Sequence, residues 1–415
     1  MNMKFDDRKD EEKFDGKSFC TLPFIHLATH PIGTVTPCCI TDMTNDVSTA
    51  KTDGEKMFLG KNSFEEISNS GTFKELRRQM LNNEFPEVCR NCYFYEKNKV
   101  YSKRIESNFK FSHLIEDCFK RTLPDGTLTK INYKYVELRL GTICNLKCVT
   151  CNPFSSSKWN EDVKAFEGSL FQGDYYQNDI KTEWFRSQKF YDELYDHCED
   201  LEEVWINGGE PTLIKEHSYF LERLIKSGRS KNINIHYSIN LSYMHEHYIE
   251  LWKQFKQVRL HLSIDDLEER NDFIRYGSSW KTIMENFQRI LKEKDVFHLE
   301  ICQTVSALNV MNIHKFKKFA QEHNIIVAHN FVHYPVHLAV NILPEEMVNK
   351  LKENLSGLHP HERQRLMSEV SRECEPGMLD KFVGFMKILD KQRKTSIKDV
   401  LPEWREYFEE EVETV

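Results

Sequence analysis

The sequence predicts an α/β fold built on a parallel sheet or barrel. Between residues 131 and 335, six short β-prone runs alternate with helical runs. Strands separated by helices require crossover connections, and those make a parallel arrangement. Polar and special residues recur just after the strands, where ligands gather in such folds. The cysteines are grouped rather than spread.

The strands are expected at 133–140 (YKYVELRL), 201–207 (LEEVWIN), 232–240 (NINIHYSIN), 257–265 (QVRLHLSID), 297–305 (FHLEICQTV) and 324–332 (NIIVAHNFV). Helical stretches such as FYDELYDHC, HSYFLERLIKSG, WKTIMENFQRILKEK and NIHKFKKFAQEH lie between them. Upstream, THPIGTVTP reads as a hairpin, SFEEISNSGTFKELRRQMLNNEF as two short helices, and LPDGTLT as a turn by its Pro-Asp-Gly signal. From about 340 the chain reads as helices ending in VLPEWREYFEEEV. The expected organisation is a cysteine-containing module over 1–130, an α/β core over 131–335 and a helical extension over 336–415.

Composition narrows the function classes. The 415 residues are 40% hydrophobic and 29% charged, ordinary for a globular chain with room for a large core. A net charge of −8 argues against a nucleic-acid partner, which would call for a basic patch. No apolar run is long enough to span a bilayer, and the charged N-terminus lacks the core of a secretory signal, so a cytoplasmic location is expected. The acidic run EYFEEEVE reads as a solvated helix face or tail.

Twelve cysteines in a reducing compartment point to metal or cluster ligation rather than disulfides. Seven fall in three groups: Cys38 with Cys39, Cys89 with Cys92, and Cys144 with Cys148 and Cys151. Cys118, Cys198 and Cys374, in helical stretches, read as small buried hydrophobes. In GTICNLKCVTC, after the first strand, three thiolates on one short loop leave a fourth position of a metal centre open. NGGEP follows the second strand, and its glycines let backbone approach a ligand closely.

This three-then-two spacing, followed by Gly-Gly-Glu-Pro after the next strand, resembles the radical SAM superfamily over roughly 131–335. The resemblance implies a partial (β/α)6 TIM-like barrel. It also implies a [4Fe–4S] cluster on Cys144, Cys148 and Cys151 whose remaining iron is chelated by S-adenosylmethionine (SAM). Thr150 departs from the aromatic residue often found before the last cysteine. By the same resemblance Gly208, Gly209, Glu210 and Pro211 would cradle the SAM amine, Ser263 and Asp265 would bind ribose, and Arg275 would face the SAM carboxylate. Ser238 and Asn240, on one face of the third strand, are further cofactor-binding candidates.

The N-terminal cysteines carry a second pattern. Cys20, Gly33, Cys38, Cys89 and Cys92 follow the opening of the SPASM/twitch pattern, which implies a second, auxiliary [4Fe–4S] cluster on Cys20, Cys38, Cys89 and Cys92. Cys39 competes with Cys38, and a four-thiolate structural zinc is the alternative metal. In the family this module usually follows the barrel; here it precedes it. No cysteine follows in YFYEKNKVYSK, so one auxiliary cluster is expected.

On strand five Cys302 shares a face with Glu300 and Thr304, and a thiol there is a catalytic candidate for donating hydrogen to a substrate radical. The expected function is reductive cleavage of SAM and hydrogen abstraction from a peptide or small molecule. A reducing partner such as flavodoxin or ferredoxin would supply the electron, and the auxiliary cluster would assist electron transfer. The alternative is a zinc-stabilised, non-catalytic binding protein. The long connection over 155–185 reads either as a substrate lid or as extra packing.

Overall fold

The computed structural model describes residues 17–41, 47–175 and 183–409. Among the described residues ten strands run in chain order: β1 (His26–Thr29), β2 (Val35–Thr36), β3 (Lys51–Thr52), β4 (Glu55–Lys56), β5 (Tyr135–Leu140), β6 (Glu203–Gly208), β7 (Asn234–Ile239), β8 (Gln257–Leu262), β9 (Phe297–Val305) and β10 (Ile326–Phe331). Eight form one mixed sheet in the order β10-β9-β8-β7-β6-β5-β1-β2, and β5 to β10 pair in parallel with their chain neighbours. All six expected strands are there, in an α/β fold.

Period-two alternation explains the layering. Val136, Leu138, Val204, Ile206, Ile235 and Leu260 are fully buried beneath the crossover helices. Those helices present apolar stripes such as Phe220, Leu221 and Leu224, or Ile283, Phe287 and Ile290, to the same core. The alternate residues Glu137, Arg139, Trp205, His236, His261, Glu300 and Cys302 give the other face its polar character.

The N-terminal hairpin adds to this sheet. Ala28 and Thr29 pair antiparallel with Thr36 and Val35, while His26, Leu27 and Ala28 pair parallel with Tyr135, Val136 and Glu137. Gly33 turns the hairpin with φ +87°, a conformation that glycine adopts without strain. The helix pair forms as expected at Phe64–Ser68 and Gly71–Leu81; Ser63 and Glu66 make a reciprocal capping box on the first, and Ser70 caps the second. A turn at Gly126 follows, its N–H donating to the Leu123 carbonyl at 2.8 Å.

Beyond β10 come helices Glu345–Glu353, Pro360–Val370 and Met378–Arg393. In the long connection after β5, Trp159, Phe166, Phe171 and Tyr175 are buried and gather round Phe385 of the last of these helices. The described part of the 155–185 stretch is therefore core packing; residues 176–182 and the end of the acidic C-terminal run lie outside the described residues. Among the described residues no helix is long and apolar enough to cross a membrane.

Several buried histidines make this fold acid-sensitive. Burial lowers His26 to about 3, His217 to about 4, His236 to about 2, His329 to about 4 and His337 to about 4. In the unfolded chain each would titrate near about 6.5. As pH falls below that value the unfolded state binds protons that the folded state refuses, so stability is lost on acidification. Each histidine contributes about 1.4 kcal/mol per pH unit until its own folded value is reached. Urea unfolding followed by tryptophan fluorescence should show the midpoint dropping steadily from pH 6.5 to 5; a level midpoint would mean these imidazoles become protonated within the fold.

Candidate functional site

The three-cysteine loop leaves the C-terminal end of β5. It is pinned on one side by Gly208-Gly209-Glu210: the Glu210 N–H donates to the Ile143 carbonyl at 2.7 Å, and a Cβ on Gly209 would lie 2.3 Å from that same oxygen. Gly208 has φ +150°, and a Cβ there would meet Leu140 backbone at 2.9 Å. On the other side the Lys147 and Val149 N–H groups donate to the carbonyls of Tyr276 and Ile274 at 2.9 and 2.7 Å. Trp159, fully buried, donates its indole N–H to the Cys148 carbonyl at 2.8 Å.

Polar groups converge on this loop. Glu210 is buried; its Oε2 accepts from the Asn240 N–H at 2.7 Å and its Oε1 from the Thr212 hydroxyl at 2.6 Å. Burial pushes its carboxyl upward against those hydrogen bonds. Asn240 Nδ2 reaches Asn145 Oδ1 at 3.1 Å and Cys144 Sγ at 3.9 Å, and the Leu146 N–H donates to Cys144 Sγ at 3.5 Å. Burial raises Cys144 to about 11, and Cys148 and Cys151 share a hydrogen bond that holds Cys151 protonated. The Cys151 hydrogen bond holds Cys148 down to about 7, while Cys144 and Cys151 resist ionisation alone; three such crowded sulfurs, with N–H donors at one of them, suit a cationic cluster that would hold all three as thiolates.

The radical SAM superfamily model matches residues 138–322, which contain this loop, the Gly-Gly-Glu segment and strands β6 to β9. The chain carries a radical SAM domain. An iron-sulfur cluster-binding domain, SPASM, matches residues 20–93, N-terminal to the radical SAM domain. The radical SAM domain implies a [4Fe–4S] cluster and SAM, and the SPASM domain implies auxiliary iron–sulfur clusters.

Among solved structures the chain is similar to native anSMEcpe with bound AdoMet (17% identity over 56% of this chain and 62% of that one, TM-score 0.38). It is also similar to anSMEcpe with bound AdoMet and the Cp18Cys peptide (16%, 53% and 58%, TM-score 0.35) and to Streptococcus suis SuiB (14%, 66% and 53%, TM-score 0.34). The chain thus spans little more than half the length of these proteins. No curated protein matches it in sequence.

In the SPASM domain Cys20, Cys38, Cys89 and Cys92 line one cavity. Burial raises Cys20 to about 12 and pushes Cys38 and Cys89 well up, with mutual repulsion between the sulfurs adding to it. Arg104 borders the cavity and is held by buried Glu96 at 2.6 Å. Cys39 instead turns to Glu137 of β5. This donor set, too, suits a metal centre.

The remaining candidates of the radical SAM domain are placed as follows. β8 ends at Leu262, so Ser263 and Asp265 lie beyond it rather than within a strand reaching 265. The Asp265 carboxylate, fully buried, accepts from the Thr304 N–H at 2.8 Å and from Arg275 Nη1 at 2.9 Å. The Asp265 carbonyl accepts from Gln303 and Asn309, and this network bends the chain out of the strand. Arg275 thus pairs with Asp265 beside the cysteine loop, its Nε buried and without a partner among the described residues. Ser238 sits deeper on β7, facing the Trp205 indole N–H at 3.5 Å. Pro211 starts the short 3-10 turn Pro211–Leu213 that follows Glu210. Cys302 lies against His261 and Glu300 on the polar face. Cys118 and Cys198 are fully buried.

Sequence reasoning missed the supports. Asn145 lies inside the cysteine run and bonds Asn240 and Ser242. Asp162, fully buried, bridges Lys147 Nζ at 2.6 Å and Arg393 Nε at 2.7 Å, tying the loop to the C-terminal helix. The Asn between two motif cysteines was a usable signal; Asp162 and Arg393 carried none.

Proposed function

We propose that the chain reductively cleaves SAM and abstracts hydrogen from a peptide or small-molecule substrate on the polar face of the sheet. Bound at Cys144, Cys148 and Cys151, the cluster with SAM supplies one-electron chemistry that ends in a 5′-deoxyadenosyl radical. The protein's own residues hold and orient. Cys144, Cys148 and Cys151 ligate, Glu210 accepts from the SAM ammonium, and Asn240 fixes the Glu210 carboxylate through its backbone N–H. Ser263 and Asp265 take the ribose side, and Arg275 the SAM carboxylate. The four SPASM cysteines hold an auxiliary [4Fe–4S] cluster that passes electrons, with flavodoxin or ferredoxin as reductant.

The observation that carries this reading is the interlock of the three-cysteine loop with Gly208-Gly209-Glu210, where backbone stands against backbone at distances only glycine allows. Iron and acid-labile sulfide per chain, measured after anaerobic reconstitution, test it. About eight irons are expected, falling to about four in the Cys144/Cys148/Cys151→Ala variant, with 5′-deoxyadenosine released only by the parent. Zinc filling both cysteine sets in place of iron would leave a zinc-stabilised binding protein instead.

A further inference from the structure

On the polar face a second donor cluster stands apart from both cysteine sets. His261 of β8 faces Glu300 and Cys302 of β9, and one ligand atom from each lies within 4.8 Å of the others. Register places them there: His261 pairs with Glu300, and Cys302 stands two residues further along β9 on the same face. The His261 Nδ1 to Glu300 Oε2 distance is 3.3 Å and the Nδ1 to Cys302 Sγ distance is 3.6 Å.

Those separations can be set beside the ligand spacing of a metal site. A charge-assisted histidine–carboxylate hydrogen bond closes to about 2.7–2.9 Å. Two ligands on one tetrahedral zinc, with Zn–N and Zn–O bonds of about 2.1 Å and a Zn–S bond of about 2.3 Å, stand about 3.4 Å apart for N and O and about 3.6 Å for N and S. The N–O distance of 3.3 Å is nearer the zinc-ligand spacing, and the N–S distance of 3.6 Å, which also suits a sulfur hydrogen bond, agrees with it.

The surroundings also suit a metal. The His261 ring is held flat against Trp205, with centroids 4.6 Å apart and planes 12° apart, so its Nδ1 stays aimed at the other donors. Glu300 and Cys302 are partly exposed, and Ala328, the register partner of Cys302 on β10, contributes only a methyl group. One position of a tetrahedron is thereby left open toward the polar face.

We propose that His261 Nδ1, Glu300 Oε2 and Cys302 Sγ form a mononuclear zinc site whose fourth position holds water and is open to an anionic oxygen of the substrate. One His, one carboxylate and one thiolate form a mixed set that zinc accepts and hard cations do not. Three protein ligands with one open position are the pattern of a reactive or substrate-binding zinc rather than a structural one. Cys302 then serves as a ligand thiolate with no S–H to give, which replaces its role as hydrogen donor. Two residues beyond it, about 7 Å along β9, the Thr304 N–H donates to Asp265, the partner of Arg275.

Zinc analysis of the full-length, iron-reconstituted protein after dialysis tests this. About one zinc per chain is expected in the parent and in the Cys144/Cys148/Cys151→Ala variant, and its loss in His261→Ala and Cys302→Ser with iron content and thermal midpoint retained. Zinc-edge absorption should show one sulfur and three lighter neighbours. A four-sulfur shell would put zinc in a cysteine set, and equal zinc in parent and Cys302→Ser, or none in either, would leave Cys302 a free thiol; each overturns the site. The triple-alanine variant distinguishes the two failures, because it loses SAM cleavage while keeping every ligand of the zinc.

Discussion

Gly209→Ala should remove iron from the first cysteine set while leaving the second filled, so that iron falls from about eight to about four per chain and SAM cleavage drops by on the order of 10²-fold or more. The added methyl would sit 2.3 Å from the Ile143 carbonyl oxygen, 2.6 Å from its carbon and 2.7 Å from the Thr142 carbon. These are backbone atoms immediately before Cys144, and no rotamer change can relieve them. The same carbonyl already accepts from Glu210 N–H at 2.7 Å, so the cysteine loop and the glutamate must part together. Gly173→Ala is the control, since nothing lies within 4 Å of its Cβ. Full iron and activity in Gly209→Ala would show that the interlock does not position the loop.

Asp162→Ala should cost roughly 3–5 kcal/mol, because it strands Arg393, whose buried carboxylate partner is lost, and leaves Lys147 only the longer contact to Glu161 at 3.3 Å. The side chains of Arg393 and Lys147 are only 2% and 14% exposed, so water cannot replace the lost partner well. Scanning calorimetry should place the thermal midpoint roughly 5–10 °C lower. An exposed pair such as Lys350 with Glu346, 59% and 61% exposed, should tolerate Lys350→Met with the thermal midpoint unchanged. Equal effects at the two positions would mean that the loop-to-helix tie carries no stability.

What the sequence made legible was local. Six strands could be read because buried strand residues alternate or run apolar over a few positions, and the cysteine spacings could be read because ligand loops are short. The end of β8 could not: residues through Asp265 keep the alternation, yet Asn271, Gln303 and Asn309 capture the backbone at Asp265 and pull it from the ladder. Nor could contacts between distant segments. Asp162 and Arg393 are 231 positions apart, and each alone reads as an ordinary surface charge. Glu300 and Cys302 could be placed on one face of their strand, but only the register between β8 and β9 shows that His261 meets them.

The pairing of β1 with β5 has a consequence for any attempt to divide the chain. β1 and β2 occupy the side of β5 that would otherwise be a bare sheet edge, and the partners they cover, Tyr135 and Val136, are buried. A fragment starting at residue 131 would present a six-residue strand with unpaired N–H and C=O groups beside an apolar surface. Such an edge is a template for association with another copy. The SPASM segment thus serves the sheet as edge protection, a duty independent of any metal it holds, and strands β5 to β10 are best produced with it attached.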